Sequence, residues 1–315
     1  MKSDHIKKLL TFSAIGFGGL SFFNHRIDQL ASHHNLLHTE NGSFYQWKLG
    51  KIYYQKEGHG SKPLLLIHDA AEYASSYEWS LLTRGLRKEY TIYTIDLLGC
   101  GRSDKPALTY TNYLYVQMIS AFIRDVIGST VHIAAAGRSA SFAVMTAKCE
   151  PSLVSQIIMI NPLSTAKLCE KPNDSSVLLR RLLSIPVIGH SVYNFAVSHS
   201  NINYLLDEKF YFNPFKVQKR TENAYYEAAH KGRGYGRYLM ASRLGGFMNW
   251  DIRCALKEID QPITVICSEN KSGSKEILAS YRAVNSDIRT RVIKASRNLP
   301  QMEEPDQLLS FFLEN

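Results

Sequence analysis

Short apolar runs alternate with amphipathic stretches along most of this chain. Residues 63–68, 91–96, 131–136, 156–162 and 262–267 are apolar runs of strand length, rich in Leu, Ile, Val and Ala. Runs of that kind fit strands buried on both faces, as in a parallel sheet. Residues 45–48 and 51–55 flank a turn at Leu49-Gly50 and predict a hairpin. Residues 114–127 place apolar side chains at 114, 118, 119, 122, 123, 126 and 127, which is the helical period. Residues 80–90, 142–148, 275–284 and 305–313 predict further helices, and 289–293 a further strand. Strand and helix in this order imply the α/β class, a mostly parallel sheet with right-handed crossovers flanked by helices.

The alternation stops at Pro162 and resumes at Ile259. The stretch between contains helical patches, Tyr and Phe, and no clear strand. The core is therefore assigned to residues 41–162 and 255–315. Residues 163–254 form a helical insertion after the sixth strand, over the C-terminal edge of the sheet, where open α/β folds bind ligands.

Residues 1–40 stand apart. Lys7 and Lys8 precede an uncharged run from Leu9 to Phe23, followed by His25 and Arg26. A basic flank and an apolar core predict membrane attachment, although a full span needs about 20 apolar residues. No small-x-small cleavage site follows the run. The competing reading is a helix that packs on the domain or lies on a membrane surface. If the segment spans, the basic flank keeps the N-terminus in the cytoplasm and places the domain outside; otherwise the protein is cytoplasmic.

Composition narrows the function classes. The net charge is +9, but the basic residues are scattered rather than clustered. That pattern suits solubility or attraction to an anionic surface and argues against a nucleic-acid partner. The five cysteines include no C-x-x-C pair, so neither a zinc site nor a disulfide framework is expected. The sequence suggests no metal and no cofactor.

The candidate chemistry centres on Gly137-Arg138-Ser139-Ala140-Ser141. A small-residue strand leads in and a helical run leads out. Strand, small turn, serine, small turn, helix is the outline of a nucleophile elbow. The start of the following helix can stabilise a nearby oxyanion.

Four landmarks make the chain resemble the lid-bearing branch of the α/β-hydrolase superfamily over residues 44–315. They are Leu66-Ile67-His68-Asp69 with Trp79 downstream; the loop Asp96-Leu97-Leu98-Gly99-Cys100-Gly101-Arg102-Ser103-Asp104-Lys105-Pro106; the elbow; and Leu299-Pro300-Gln301-Met302-Glu303-Glu304-Pro305. The resemblance implies the α/β-hydrolase fold and Ser139 as nucleophile. It implies oxyanion donors at the backbone of Ala140 and of Asp69 or Ala70. It also implies an acid after the strand ending at Cys267 and a histidine just before Leu299.

The last two positions depart from the family. The histidine aligns with Asn298, which cannot accept a proton near neutral pH. The acid aligns with Lys271, which has the wrong charge to steady an imidazolium. Glu269 and His68 are the nearest substitutes in sequence, and His190, His199 or His230 could enter from the insertion. Asp69 also stands where the family has glycine, and a carboxylate aimed at a developing oxyanion is repulsive. Arg138 and Arg297 add positive charge, either as solvated loop residues or as part of an anion site.

Three readings follow. The first is a serine hydrolase acting on an ester or similar acyl bond through Ser139 with an atypical triad. The second is a non-catalytic pseudo-hydrolase that keeps its pocket for a small apolar or acyl-bearing ligand, or for a partner. The third is a membrane-tethered scaffold at the cell envelope.

Overall fold

The computed structural model describes residues 2–31, 35–39 and 41–314, with side chains described from residue 16 onward apart from residue 17. The strands are β1 (Gly42–Trp47), β2 (Gly50–Glu57), β3 (Lys62–Ile67), β4 (Tyr90–Ile95), β5 (Val131–Ala136), β6 (Val154–Ile160), β7 (Ile263–Ser268) and β8 (Arg289–Ile293). They form an eight-stranded sheet in the order β1-β2-β4-β3-β5-β6-β7-β8. The β1–β2 hairpin is antiparallel and joins β4 antiparallel; every pairing from β4 through β3 to β8 is parallel. This is the α/β-hydrolase fold, with helices on both faces.

Burial explains why the central strands show no polar alternation. Leu65 and Ile67 of β3 pack into a core with Phe122, Phe142 and Tyr281. Leu64 and Leu66 point the other way, into a core with Trp79, Leu308 and Phe312. Successive side chains of one strand alternate between faces, so a strand covered on both sides must be apolar throughout.

The helix expected over residues 80–90 is reduced to one short turn, Thr83–Leu86, with a separate turn, Ser76–Trp79, just before it. Gly85 lies within the Thr83–Leu86 turn, and a Cβ there would lie 2.4 Å from Leu309. Glycine weakens a helix interior, and here the absence of a side chain lets the C-terminal helix (Pro305–Leu313) approach. The loop after β4 is held by Asp96, which is fully buried. It accepts hydrogen bonds from the Ser76 N–H (2.7 Å), the Arg102 N–H (2.8 Å) and Arg102 Nε (2.7 Å). Burial opposes its ionisation, but the Arg102 guanidinium outweighs this and holds the carboxyl well below the ordinary range.

Between β6 and β7 the chain forms a helical layer with its own core, including Tyr193, Ile202, Leu206 and Tyr225 packed with Leu299 and Met302. The N-terminal helix (Lys2–Ala31) docks on this layer through polar groups. Asn24 Nδ2 donates to Ser191 Oγ (2.9 Å), Asn194 Nδ2 donates to Asn24 Oδ1 (3.2 Å), and His190 Nε2 lies 3.0 Å from Asp28 Oδ2. The helix therefore packs on the domain, one of the two alternatives left by its sequence. Among the described residues, no helix is long and apolar enough to cross a membrane. The side chains of Lys7, Lys8 and residues 9–15 lie outside the described residues.

Candidate active site

The turn between β5 and the helix Ser139–Cys149 has its apex at Gly137, not at Ser139. Gly137 directly follows the end of β5 and has a φ of +58°, in the left-handed region. Its N–H donates to Ile160 O at 2.9 Å, so the apex is tied to the neighbouring strand. Ser139 begins the helix, is fully buried, and donates its hydroxyl to His68 O at 2.6 Å. That hydroxyl joins the ends of β5 and β3 and does not line the cavity above the sheet. Ser139, expected as the nucleophile, therefore lies two residues beyond the apex, and the residue at the apex has no side chain.

Asp69 fills the space that an apex side chain would occupy. A Cβ built on Gly137 would lie 2.4 Å from Asp69 Cγ and within 2.7 Å of both carboxylate oxygens. Asp69 Oδ1 accepts the Arg138 N–H at 2.8 Å. Arg138 follows the apex, so its N–H is the one that would face a developing oxyanion. Ala140, expected as that donor, lies buried in the first turn of the helix. The Asp69 carboxylate thus occupies the Arg138 N–H. Ala70 follows Asp69, fully buried.

The positions aligned with acid and base do meet. Lys271 Nζ donates to Asn298 Oδ1 at 3.1 Å. Asn298 is otherwise committed to structure: its N–H donates to Phe210 O (2.8 Å) and its Nδ2 to Lys209 O (2.6 Å), which ties the loop to the helical layer. Glu303 adds to this tie by accepting the N–H groups of Phe212 (2.8 Å), Asn213 (2.8 Å) and Arg297 (3.1 Å). Asn161, at a φ of +47°, donates Nδ2 to Ser268 Oγ (3.0 Å) and Arg297 O (2.9 Å), and so holds the same loop from below. Arg297 and Arg138 reach out of the site, to Glu208 O and Asn249 Oδ1 respectively.

Neither sequence substitute enters. Both nitrogens of His68 are engaged. Nε2 accepts the Leu97 N–H at 3.0 Å, which leaves Nδ1 to donate to Asp69 O at 2.7 Å. Burial pushes its pKa down, so it stays a neutral loop anchor. Glu269 is exposed, with its N–H on Ile293 O. The histidines of the insertion are held elsewhere: His190 by Asp28, His199 stacked on Tyr226, and His230 Nδ1 against Tyr226 O.

Above the apex lies a cavity of about 160 Å³. Its polar wall includes Asp69, Glu78, Lys271, Asn298 and Gln301, and its apolar wall includes Tyr73, Phe210, Leu163 and Leu299. Glu78 is fully buried, takes hydrogen bonds from Tyr225 (2.8 Å) and Gln301 Nε2 (3.0 Å), and has its pKa pushed up to about 8, chiefly by desolvation. Burial lowers the pKa of Lys271, partly offset by Asp69. The lining thus combines charged groups with an apolar wall.

Sequence reasoning missed Gly137 and Glu78. A small-x-apex-x-small pattern fits Ala135-Ala136-Gly137-Arg138-Ser139 as well as it fits the frame two residues later. Only the end of β5 at Ala136 selects between them. Glu78 lies one residue before the landmark Trp79, and nothing in the local pattern marks it as buried.

A model of the alpha/beta hydrolase family matches residues 64–311. The chain is 24% identical to proline iminopeptidase of Heyndrickxia coagulans over 272 residues, 83% of this chain and 93% of that protein. Cfl2 from Burkholderia cenocepacia superposes with a TM-score of 0.72 at 16% identity, covering 87% of this chain and 94% of that one. A membrane phospholipase A, described as a bacterial virulence factor, superposes with a TM-score of 0.68 at 18% identity, covering 100% of this chain and 97% of that one.

Proposed function

The chain belongs to the alpha/beta hydrolase family, and on that premise we propose that it is a binding member of the family, one that holds a small polar molecule in the elbow cavity without cleaving it. The observation that carries this reading is the side-chain-free apex at Gly137 with the Asp69 carboxylate on the Arg138 N–H. An acyl transfer through this site lacks the nucleophile at Gly137, the acid at Lys271 and the base at Asn298, and its oxyanion donor is already taken. Removing one triad member typically costs on the order of 10⁴–10⁶ in turnover, and binding and oxyanion donors account for what remains. Here the oxyanion donor is lost as well.

The competing reading, hydrolysis through Ser139, requires a hydroxyl that is buried and bonded to His68 O to reach an acyl carbon. Incubation of the full chain with a fluorophosphonate probe tests the two. No covalent labelling and no p-nitrophenyl ester turnover above the uncatalysed rate are expected. Labelling at Ser139 that disappears in Ser139→Ala would return the protein to the serine hydrolases.

A second reading concerns the outer face. Phe22, Phe23 and Leu30 of the N-terminal helix are exposed, as are Ile188, Val192 and Phe195 of the neighbouring helix Ile188–Ala196. With a net charge of +9, this face suits an anionic bilayer surface, with the helix lying on the membrane rather than crossing it. Co-sedimentation with phosphatidylglycerol-containing vesicles is expected, and little with phosphatidylcholine alone. Replacing Phe22, Phe23 and Phe195 with serine should weaken the binding at least about tenfold, since burying one phenylalanine contributes roughly 1.5–3 kcal/mol. Equal sedimentation of variant and wild type would remove this reading.

A further inference from the structure

Resting on the non-hydrolytic reading, we infer that the elbow cavity takes a small zwitterion, an α-amino acid or a close amine-bearing carboxylate, with its ammonium against Asp69 and Gln301 and its carboxylate on Lys271.

Three features of the lining lead to this class. Asp69 and Lys271 carry opposite charges into one cavity, yet they form no ion pair with each other among the described residues. Asp69 uses Oδ1 on the Arg138 N–H, and Lys271 Nζ has the neutral Asn298 oxygen as its hydrogen-bond partner. Opposite charges that face one space without meeting are satisfied by a molecule that carries both signs.

The third feature is Gln301. It is fully buried and lines the cavity, its Nε2 donates to Glu78, and its Oε1 meets no donor among the described residues. A buried acceptor without a donor is costly, and the remedy is a ligand that donates. An ammonium offers three donors and can serve Gln301 and the Asp69 carboxylate together.

Other ligand classes leave part of this lining unsatisfied. A neutral ester has no donor for Asp69 or Gln301. A simple amine leaves the Lys271 charge uncompensated, and a simple carboxylate is repelled by Asp69. The volume sets the size. About 160 Å³ corresponds to roughly five to ten heavy atoms, taking about 30 Å³ per liquid water as the scale. Tyr73, Phe210 and Leu299 would cover a short side chain.

Calorimetric titration of the full chain with glycine, L-alanine and L-proline, and with the N-acetyl and methyl ester derivative of each, tests the assignment. At least one free amino acid is expected to bind with micromolar to millimolar affinity. Acetylation should weaken its binding at least about tenfold by removing the ammonium, and esterification should do the same by removing the carboxylate. Asp69→Asn, which can still accept the Arg138 N–H, and Lys271→Met should each abolish binding while circular dichroism stays unchanged. Ser139→Ala should bind like the wild type.

Binding of the acetylated or esterified forms as tight as that of the free amino acid would overturn the inference. So would no binding of any free amino acid at 10 mM, or full binding by the Asp69→Asn and Lys271→Met proteins. Hydrolysis of the methyl esters, followed in the same mixtures, would instead overturn the non-hydrolytic reading, so the two failures are distinguishable.

Discussion

Gly137→Ser is expected to lose about 2–4 kcal/mol of stability and to gain no ester turnover, and Asp69→Gly introduced with it is expected to restore most of the loss. The apex backbone sits at a φ of +58°, where a side chain costs about 1 kcal/mol. The new Cβ would also meet Asp69 Cγ at 2.4 Å, well inside contact distance. Forcing extra atoms into a packed site typically costs about 1–3 kcal/mol. Asp69 cannot simply move aside, because its Oδ1 satisfies the Arg138 N–H. Removing the carboxylate frees both the space and the donor. The two substitutions should therefore be strongly non-additive, which a double-mutant cycle by urea denaturation would measure. Additive losses would mean that Asp69 does not hold the apex space. On the binding reading no turnover is expected from any of the three proteins, since Lys271 and Asn298 stay where an acid and a base are needed.

Glu78→Gln should remove the pH dependence that burial of Glu78 imposes on the native state. The Glu78 carboxyl has an ordinary value of 4.5 and is pushed up to about 8 in the fold by desolvation. The folded state thus binds the proton more tightly than the unfolded chain. The associated stability is fully present below pH 4.5 and is lost as the pH rises through about 8. Because the group is fully buried, the loss is on the order of 4–5 kcal/mol. A glutamine keeps the acceptor for Tyr225 and cannot ionise. It also has an amide that can donate to Gln301 Oε1 once the Gln301 amide turns over. Thermal denaturation should show similar Tm values for both proteins near pH 5 and a clearly higher Tm for the variant near pH 9. Parallel curves across that interval would mean that Glu78 is already ionised, or solvated, in the native protein.

The departures that define this protein were partly legible from residue identity. Lys271 follows the strand ending at Cys267 and Asn298 directly precedes the Leu299 landmark, so their departure from the implied acid and histidine was visible before any geometry was known, and the fold then places them in contact. The elbow was legible as a turn but not in its frame. A serine draws attention because of its chemistry, yet the apex is set by where the strand ends and which residue takes positive φ. Hydrophobic pattern locates a strand end only to within a few residues, and a shift of two residues exchanges a buried tether for the apex. Asp69 could be read as a charge near the oxyanion position, but not as the group occupying it. That depends on β3 and β5 being adjacent in the sheet.

The run of unbroken apolar strands determined the parallel sheet and its helical covering without any coordinates, since a strand covered on both faces tolerates no polar alternation. Residue identity likewise determined that a lysine and an asparagine stand where the resemblance implies an acid and a histidine. Only the tertiary structure decided that Gly137 forms the apex, that Ser139 is a buried tether, and that Asp69, Lys271, Glu78 and Gln301 share one cavity. The reason is that local pattern reports which residues are covered and uncovered. The meeting of groups from β3, β5, β7 and the C-terminal loop, far apart in the chain, is set by strand order and backbone angle, which no single stretch of sequence encodes.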